Sequence, residues 1–273
     1  MFFFSKMQAT GNDFVIINYL EEKFQYSFKL LSEFLCDRHY GVGADGVIII
    51  DKSQKCDFKM RIFNKDGSEA EMCGNGIRCL AKYVYEKELI KEREFSIETM
   101  SGEKRVFLEV EGNTVLSICV DMGKPVLKFE EIPVNYISDD EEKGINIGEF
   151  TGYPISVGNP HLVIFIDDVE NFNVKKYGSI FEDYKYFPNK INIEFVEIIN
   201  NEHIKVRVWE RGVGETLACG TGACAAAYIF CRNKSTSKEL TVDLLGGKLK
   251  INCLENIFMS GPAEFVFDGK INI

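Results

Sequence analysis

The chain has 273 residues, 45% of them hydrophobic and 27% charged, with a formal net charge of −10 and a pI near 5.0. That length and composition suit two globular domains and exclude a disordered or fibrous chain. The acidic excess, with no Lys/Arg block, argues against a nucleic-acid or anionic-membrane partner, and no apolar stretch reaches the ~18 residues a membrane span needs. The three phenylalanines at 2–4 are followed by Ser5 and Lys6 and are too short for an export signal, so a cytoplasmic protein is expected.

In chain order, apolar runs rich in β-branched and aromatic residues at 14–17, 47–50, 60–63, 106–110 and 115–120 read as strands. Between them, 27–38 reads as a helix, with Ser27 as N-cap and Leu30, Leu31, Phe34 and Leu35 in one stripe. A second helix is expected over 76–88, directly after Cys-Gly-Asn. A domain junction falls near 121–125, followed by an acidic, turn-rich surface excursion over 130–148. Beyond it the strands are 162–166, 195–198, 204–209, 240–244, 248–253 and 265–267, with helices near 174–183 and 221–232.

A stretch of this chain occurs twice. RIFNKDGSEAEMCGNG (61–76) aligns without a gap on RVWERGVGETLACGTG (207–222), with five of sixteen positions identical where composition alone gives about one. The offset of 146 becomes 147 at Gly11-Asn12 and Gly158-Asn159, and Gly123-Lys124-Pro125 has a looser echo in Gly261-Pro262. The repeat is domain-sized, dividing the chain into 1–122 and 123–263.

Each copy carries Cys-Gly-x-Gly at the start of a helix. There the unpaired amides and the positive helix end favour a thiolate and can lower a thiol pKa below ~8.5. Glycine lets a ligand approach closely, and the N–H groups of Gly74, Asn75, Gly220 and Thr221 form a cradle for a carboxylate. Two equivalent thiols facing one cleft suit removal of a proton from one face of a carbon and delivery to the other. The competing readings are a buried thiol in a glycine-rich turn, a two-lobed amino-acid-binding protein, a pyridoxal-phosphate racemase, and a thiol-disulfide oxidoreductase that lacks CxxC. Nine cysteines, an odd number without an export signal, speak against a disulfide framework. The CxxxxxC and CxxxxC spacings with only three histidines supply no zinc set. Cys79, Cys224 and Cys231 lie inside helices and are read as packing residues.

The motifs KMQATGNDF (6–14), GVGADGV (41–47), RIFNKDGSEAEMCGNGIRC (61–79), VGNPHLV (157–163), FPNKINIEFVEI (187–198) and RVWERGVGETLACGTGACAAA (207–227) resemble the diaminopimelate epimerase family over essentially the whole chain. The resemblance implies an α+β fold of two pseudo-symmetric domains, each a mixed sheet curled round a central helix, with a C-terminal strand (264–273) returning to the first. It implies a cofactor-independent homodimer that interconverts LL- and meso-diaminopimelate in lysine synthesis. Carried over by position, Cys73 and Cys219 are the acid/base pair, with Cys219 accepting the α-proton in the LL to meso direction. His161 and Glu210 adjust the thiols. Asn12, Asn64, Asn159, Asn192, Glu210 and Arg211 bind substrate, mostly at its distal end, and the amides of Gly74, Asn75, Gly220 and Thr221 hold the α-carboxylate. Gln8, Gly46 and Glu194 depart from the family pattern. Related cofactor-independent enzymes act on proline, hydroxyproline or histidine; the Asn set and Glu210-Arg211 favour a substrate with a second zwitterionic end.

Overall fold

The computed structural model describes residues 2–21, 25–137, 140, 143–234 and 238–272. It divides into two compact units, Met1–Asp121 with Ser260–Ile273, and Met122–Met259.

In the first unit, β1 (Phe2–Ala9) runs antiparallel to β2 (Asn12–Asn18), α1 (Phe28–Cys36) follows, and β3 (Gly46–Asp51) lies parallel to β2. β4 (Phe58–Asn64) is antiparallel to β3 and to the short β5 (Glu69–Ala70). After α2 (Gly74–Glu86), β6 (Glu94–Thr99) returns parallel to β4, and β7 (Gly102–Glu111) and β8 (Thr114–Gly123) continue antiparallel.

The second unit opens with β9 (Ile145–Ile147) and repeats the plan. β10 (Phe150–Ser156) is antiparallel to β11 (Pro160–Phe165), then come α3 (Val174–Glu182) and β12 (Asn192–Asn200), parallel to β11. β13 (His203–Glu210) is antiparallel to β12 and to β14 (Gly214–Thr216); α4 (Gly220–Lys234) precedes β15 (Glu239–Leu244), which is parallel to β13 and antiparallel to β16 (Gly247–Cys253). The order antiparallel, parallel, antiparallel, antiparallel, parallel, antiparallel is thus the same in both units. The duplication is one of whole folds. After β17 (Ile257–Gly261), β18 (Glu264–Ile271) pairs antiparallel with β1.

The strands β2 and β3 are apolar on consecutive residues because they are covered on both faces. Val15, Ile17, Val47 and Ile49 share a core with Leu31 and Leu35 of α1. On the other face, the Cδ1 atoms of Ile48 and Ile62 lie against Gly76 of α2. In the second unit α3 packs on β12, β13 and β14, while α4 touches strands from β10 to β16, so the sheet wraps round it. That demands a helix apolar on every side, which its run of Ala225, Ala226 and Ala227 followed by Ile229 and Phe230 provides.

Several elements differ from expectation. β1 was hidden because Ser5 and Lys6 interrupt its apolar run; both are buried, and Lys6 Nζ is paired with Asp13 Oδ2 at 2.6 Å. α2 begins two residues before 76, because Cys73 caps it. The stretch 130–148 is no simple surface excursion: Ile132, Val134, Ile145 and Ile147 are buried in the core with Phe129, alternating with exposed residues such as Glu131 and Asn135. Its residues 138, 139, 141 and 142, and residue 273 of the expected final strand, lie outside the described residues.

Gly178 of α3 sits so close to the last side chain before the β13 terminus that an added Cβ would lie 2.5 Å from Trp209 Cγ. Gly178→Ala is expected to destabilise the protein by ~1–3 kcal/mol through overpacking. A lowered urea midpoint with unchanged m-value is the readout; an unchanged midpoint would refute the packing.

Candidate active site

A helix start that follows a tight β-turn leaves amides for a side chain to satisfy. At α2 this acceptor is a thiol. Cys73 is the N-cap, with extended backbone, and its Sγ accepts from Gly76 N at 3.4 Å. At α4 the arrangement recurs: Cys219 Sγ accepts from Gly222 N at 3.4 Å while its carbonyl accepts from Ala223 N at 2.9 Å. The preceding hairpins are braced alike. Arg61 grips Glu69 through Nε and Nη2 at 2.7 and 2.8 Å, and Arg207 Nε reaches Glu215 at 2.7 Å. Three kinds of repeated residue, Arg/Glu, Cys and the second Gly, therefore have one structural task each.

In the first unit the thiol belongs to a polar cluster. Cys73 Sγ lies 3.7 Å from Asn12 Oδ1, which also accepts from Asn75 Nδ2 at 3.4 Å; Asn12 Nδ2 donates to Asp45 Oδ2 at 2.9 Å. Asn75 is oriented from behind: its Oδ1 accepts from Thr10 Oγ1 at 3.2 Å and Arg78 Nη2 at 3.0 Å. Arg78 is fully buried and also donates to the carbonyls of Gly74 and Pro262. Thr10 reaches Asn75 from a hairpin turn in which it has φ 49° and Gly11 φ 82°, a left-handed conformation that costs a β-branched residue energy. Asn64, exposed at the end of β4, donates to Ser68 Oγ at 3.0 Å.

The second unit carries more charge. His161 Nδ1 is 2.7 Å from Glu194 Oε1 with both side chains fully buried, and His161 Nε2 is 2.9 Å from Asn159 Oδ1. Glu210 accepts from Thr216 Oγ1 at 2.6 Å. Asn192 is committed to the scaffold, donating to Pro160 O at 2.7 Å and accepting from Arg211 N at 2.9 Å. The exposed Arg211 guanidinium donates to Asn189 O at 3.1 Å. Thr221 Oγ1 lies 3.3 Å from Cys219 Sγ.

The expectation that a helix end lowers the thiol pKa is reversed at Cys219. Burial pushes this thiol well above the ordinary range, the Glu210 and Glu194 carboxylates push the same way, and the bonds from Thr221 and Gly222 only partly oppose them. Cys79, enclosed in α2, is likewise raised by burial, and Cys36 is pushed up to about 12. Among the described residues no three His, Cys, Asp or Glu side chains converge as a metal site would require, and no helix is long and apolar enough to cross a membrane.

The structure therefore gathers Asn12, Cys73, Gly74 and Asn75 in one cluster, and His161, Asn159, Glu210, Cys219 and Thr221 in or beside a second. Sequence reasoning missed the residues that hold these in place: Thr10, Asp45, Arg78 and Thr216. Asp45 and Arg78 stand inside the motifs GVGADGV and CGNGIRC, but a buried partner far along the chain leaves no periodic signal.

A family model described as diaminopimelate epimerase matches residues 4–128 and 153–266. A protein of that name from Agathobacter rectalis is 48% identical over 283 residues, covering 99% of each chain, and one from Methanococcus maripaludis is 45% identical over 276 residues, again covering 99% of each. Among solved structures, a Bacillus anthracis phenazine biosynthesis protein of the PhzF family has a TM-score of 0.73 at 18% identity, covering 100% of this chain and 99% of the other. A hydroxyproline epimerase from Agrobacterium vitis, with bound trans-4-hydroxy-L-proline, has a TM-score of 0.72 at 12% identity, covering 98% and 90%. These two share the fold.

The second glycine of each motif is where the two halves should respond differently. An added Cβ at Gly76 would meet two flexible Ile Cδ1 atoms at 3.1 and 3.2 Å, whereas at Gly222 it would stand 2.5 Å from the buried Glu194 Oε1. Gly222→Ala is therefore expected to cost ~1–3 kcal/mol and Gly76→Ala less. Thermal unfolding of both variants checks this, and equal losses would contradict the asymmetry.

Proposed function

The chain belongs to the diaminopimelate epimerase family, and on that premise we propose that Cys73 and Cys219 are its two acid/base groups in the interconversion of LL- and meso-diaminopimelate. The observation that carries the assignment is the pair of thiols, each capping the first turn of a helix at an equivalent place in the two units, α2 in one and α4 in the other. Starting from the LL isomer, the Cys219 thiolate takes the α-proton, breaking the Cα–H bond and leaving its electron pair on the substrate. The carbanion then takes the proton of the Cys73 thiol on the opposite face. In the reverse direction the sulfurs exchange roles.

The amides of Gly74, Asn75, Gly220 and Thr221 hold the α-carboxylate, onto which the carbanion charge spreads, and fixed amide dipoles favour that charge without reorganising. Asn12, Asn64, Asn159, Asn192, Glu210 and Arg211 bind the rest of the substrate; the guanidinium of Arg211 suits the distal carboxylate. For Asn192 the supporting role is the backbone it fixes, since its amide holds the Arg211 turn. His161 and Glu210 adjust the thiols, and for Glu210 the direction at Cys219 is upward. A thiolate formed under that influence is scarce but more basic, which matters for a weakly acidic Cα–H. The chemistry places the reaction in lysine biosynthesis.

Incubation with LL-diaminopimelate in heavy water, without added cofactor, should show α-hydrogen exchange and meso product by NMR. Cys73→Ala or Cys219→Ala should each lower turnover by more than ~10²-fold while the protein stays folded, whereas Cys79→Ala should cost mainly stability. Lysine, which leaves the distal-carboxylate site unpaired, should be a very poor substrate. A preference for proline or histidine would overturn the substrate, and full activity in Cys73→Ala would overturn the mechanism.

The same reading gives a cytoplasmic homodimer. Sedimentation should find twice the chain mass of 31.1 kDa; a single species at the chain mass would refute the dimer.

A further inference from the structure

The repeat offset places Glu194 opposite Ile48, and both positions meet the same neighbour. Ile48 pairs across β3 with Ile16 and Ile62, and its Cδ1 is the atom nearest the Gly76 Cβ position. Glu194 pairs across β12 with Val163 and Val208, and its Oε1 is the atom nearest the Gly222 Cβ position. A carboxylate in the second copy thus stands behind the α4 N-terminus where the first copy has a methyl group behind α2. It is fully buried, its Oε1 is bound to His161, and its Oε2 has no hydrogen-bond partner among the described residues.

Burying a carboxylate with one oxygen unpaired is costly. Such a group in a core position that isoleucine fills elsewhere in the same fold calls for a function. The α4 N-terminus, with its positive dipole end, is the local feature that favours the charge. His161 Nδ1 faces Glu194 Oε1 at 2.7 Å and Nε2 faces Asn159 Oδ1 at 2.9 Å, so the ring is held from both sides and links the carboxylate to Asn159. The groups facing Cys219 are then Glu194 from β12, Glu210 at the end of β13 and Thr221 from its own helix, with His161 of β11 one step behind Glu194.

We propose that Glu194 is a positioning residue of the Cys219 half-site: buried behind the first turn of α4, beside the Gly222 whose amide binds the Cys219 sulfur, it locks His161 and through it Asn159. The inference deepens the acid/base reading above and rests on it for its consequence, but not for its test, which reads thiol chemistry rather than turnover. Burial, Glu210 and Glu194 together push the Cys219 thiol upward, and Glu194 is the contributor that the first copy replaces with isoleucine.

The test is the pH dependence of modification by methyl methanethiosulfonate, followed separately at Cys219 and Cys73 by peptide mass spectrometry of the full chain. In Glu194→Gln, which keeps a hydrogen-bonding group for His161 but removes the charge, the Cys219 midpoint should fall. Its modification near neutral pH should rise by about tenfold, the effect of a midpoint lowered by one pH unit, while the Cys73 profile stays in place. An unmoved Cys219 midpoint, or an equal shift at both thiols, would overturn the proposal. Should the Gln variant fail to fold, Glu194→Ile, which installs the residue of the matching position, replaces it: a Cys219 midpoint lower than in the unaltered protein supports the proposal, and an unchanged or higher one defeats it. Turnover of Cys219→Ala tests the acid/base reading independently, so the two failures are distinguishable.

Discussion

A sulfur that caps a helix must reach the third amide of the first turn, and the residue bearing that amide must clear whatever the helix start rests upon. Both conditions act at Gly76 and Gly222, where the N–H points to sulfur and the missing Cβ faces a strand side chain 2.5–3.2 Å away. The close approach brings the sheet onto the helix end, and where strands cover α4 along its length they leave room for little more than alanine. The alanines of α4 follow from this, as does the repeated Arg–Glu brace that fixes the hairpin leading into each cysteine. The thiol cap and the packing of the sheet on the helix end are consequences of one constraint, which explains why those residues coincide in two copies whose other positions have diverged.

What was legible in the sequence was whatever that constraint repeats. Cys-Gly-x-Gly, Arg and Glu recur at a fixed offset, and the shared topology of the two units is the folded form of that recurrence. Long-range polar partners were not legible. Arg78 reads as an ordinary helix residue, yet it is buried against the carbonyls of Gly74 and Pro262, the latter far along the chain. Lys6 breaks the apolar pattern of β1 and is compensated by Asp13. The stretch around 130–148 looked solvated because composition was averaged; residue by residue it alternates, and the apolar half joins the core. Asn192 reads in the sequence as a substrate-binding residue, and that its amide is spent on Pro160 and Arg211 required the fold.

The thiol environment shows the limit of reasoning from a motif. Helix-end geometry alone favours a thiolate, yet at Cys219 burial and two carboxylates win. The opposing bonds are single weak contacts to a hydroxyl and an amide at 3.3 and 3.4 Å, whereas desolvation acts on the whole ionised sulfur. A motif specifies the favourable part of an electrostatic balance, and the unfavourable part comes from strands distant in sequence.

That balance divides the two halves. At matching positions the first copy has Phe14, Gly46, Ile48 and Asn64 where the second has His161, Asn192, Glu194 and Glu210. The same offsets set Lys6, Asp13, Asp45 and Arg78 of the first copy against Tyr153, Pro160, Ile191 and Cys224 of the second, so each half has its own charged surroundings. Duplication gives each unit an equivalent helix-capping sulfur, and divergence of the strands behind them gives the two sulfurs different surroundings: Asn12 beside Cys73, and Thr221 with the Glu194 and Glu210 carboxylates about Cys219.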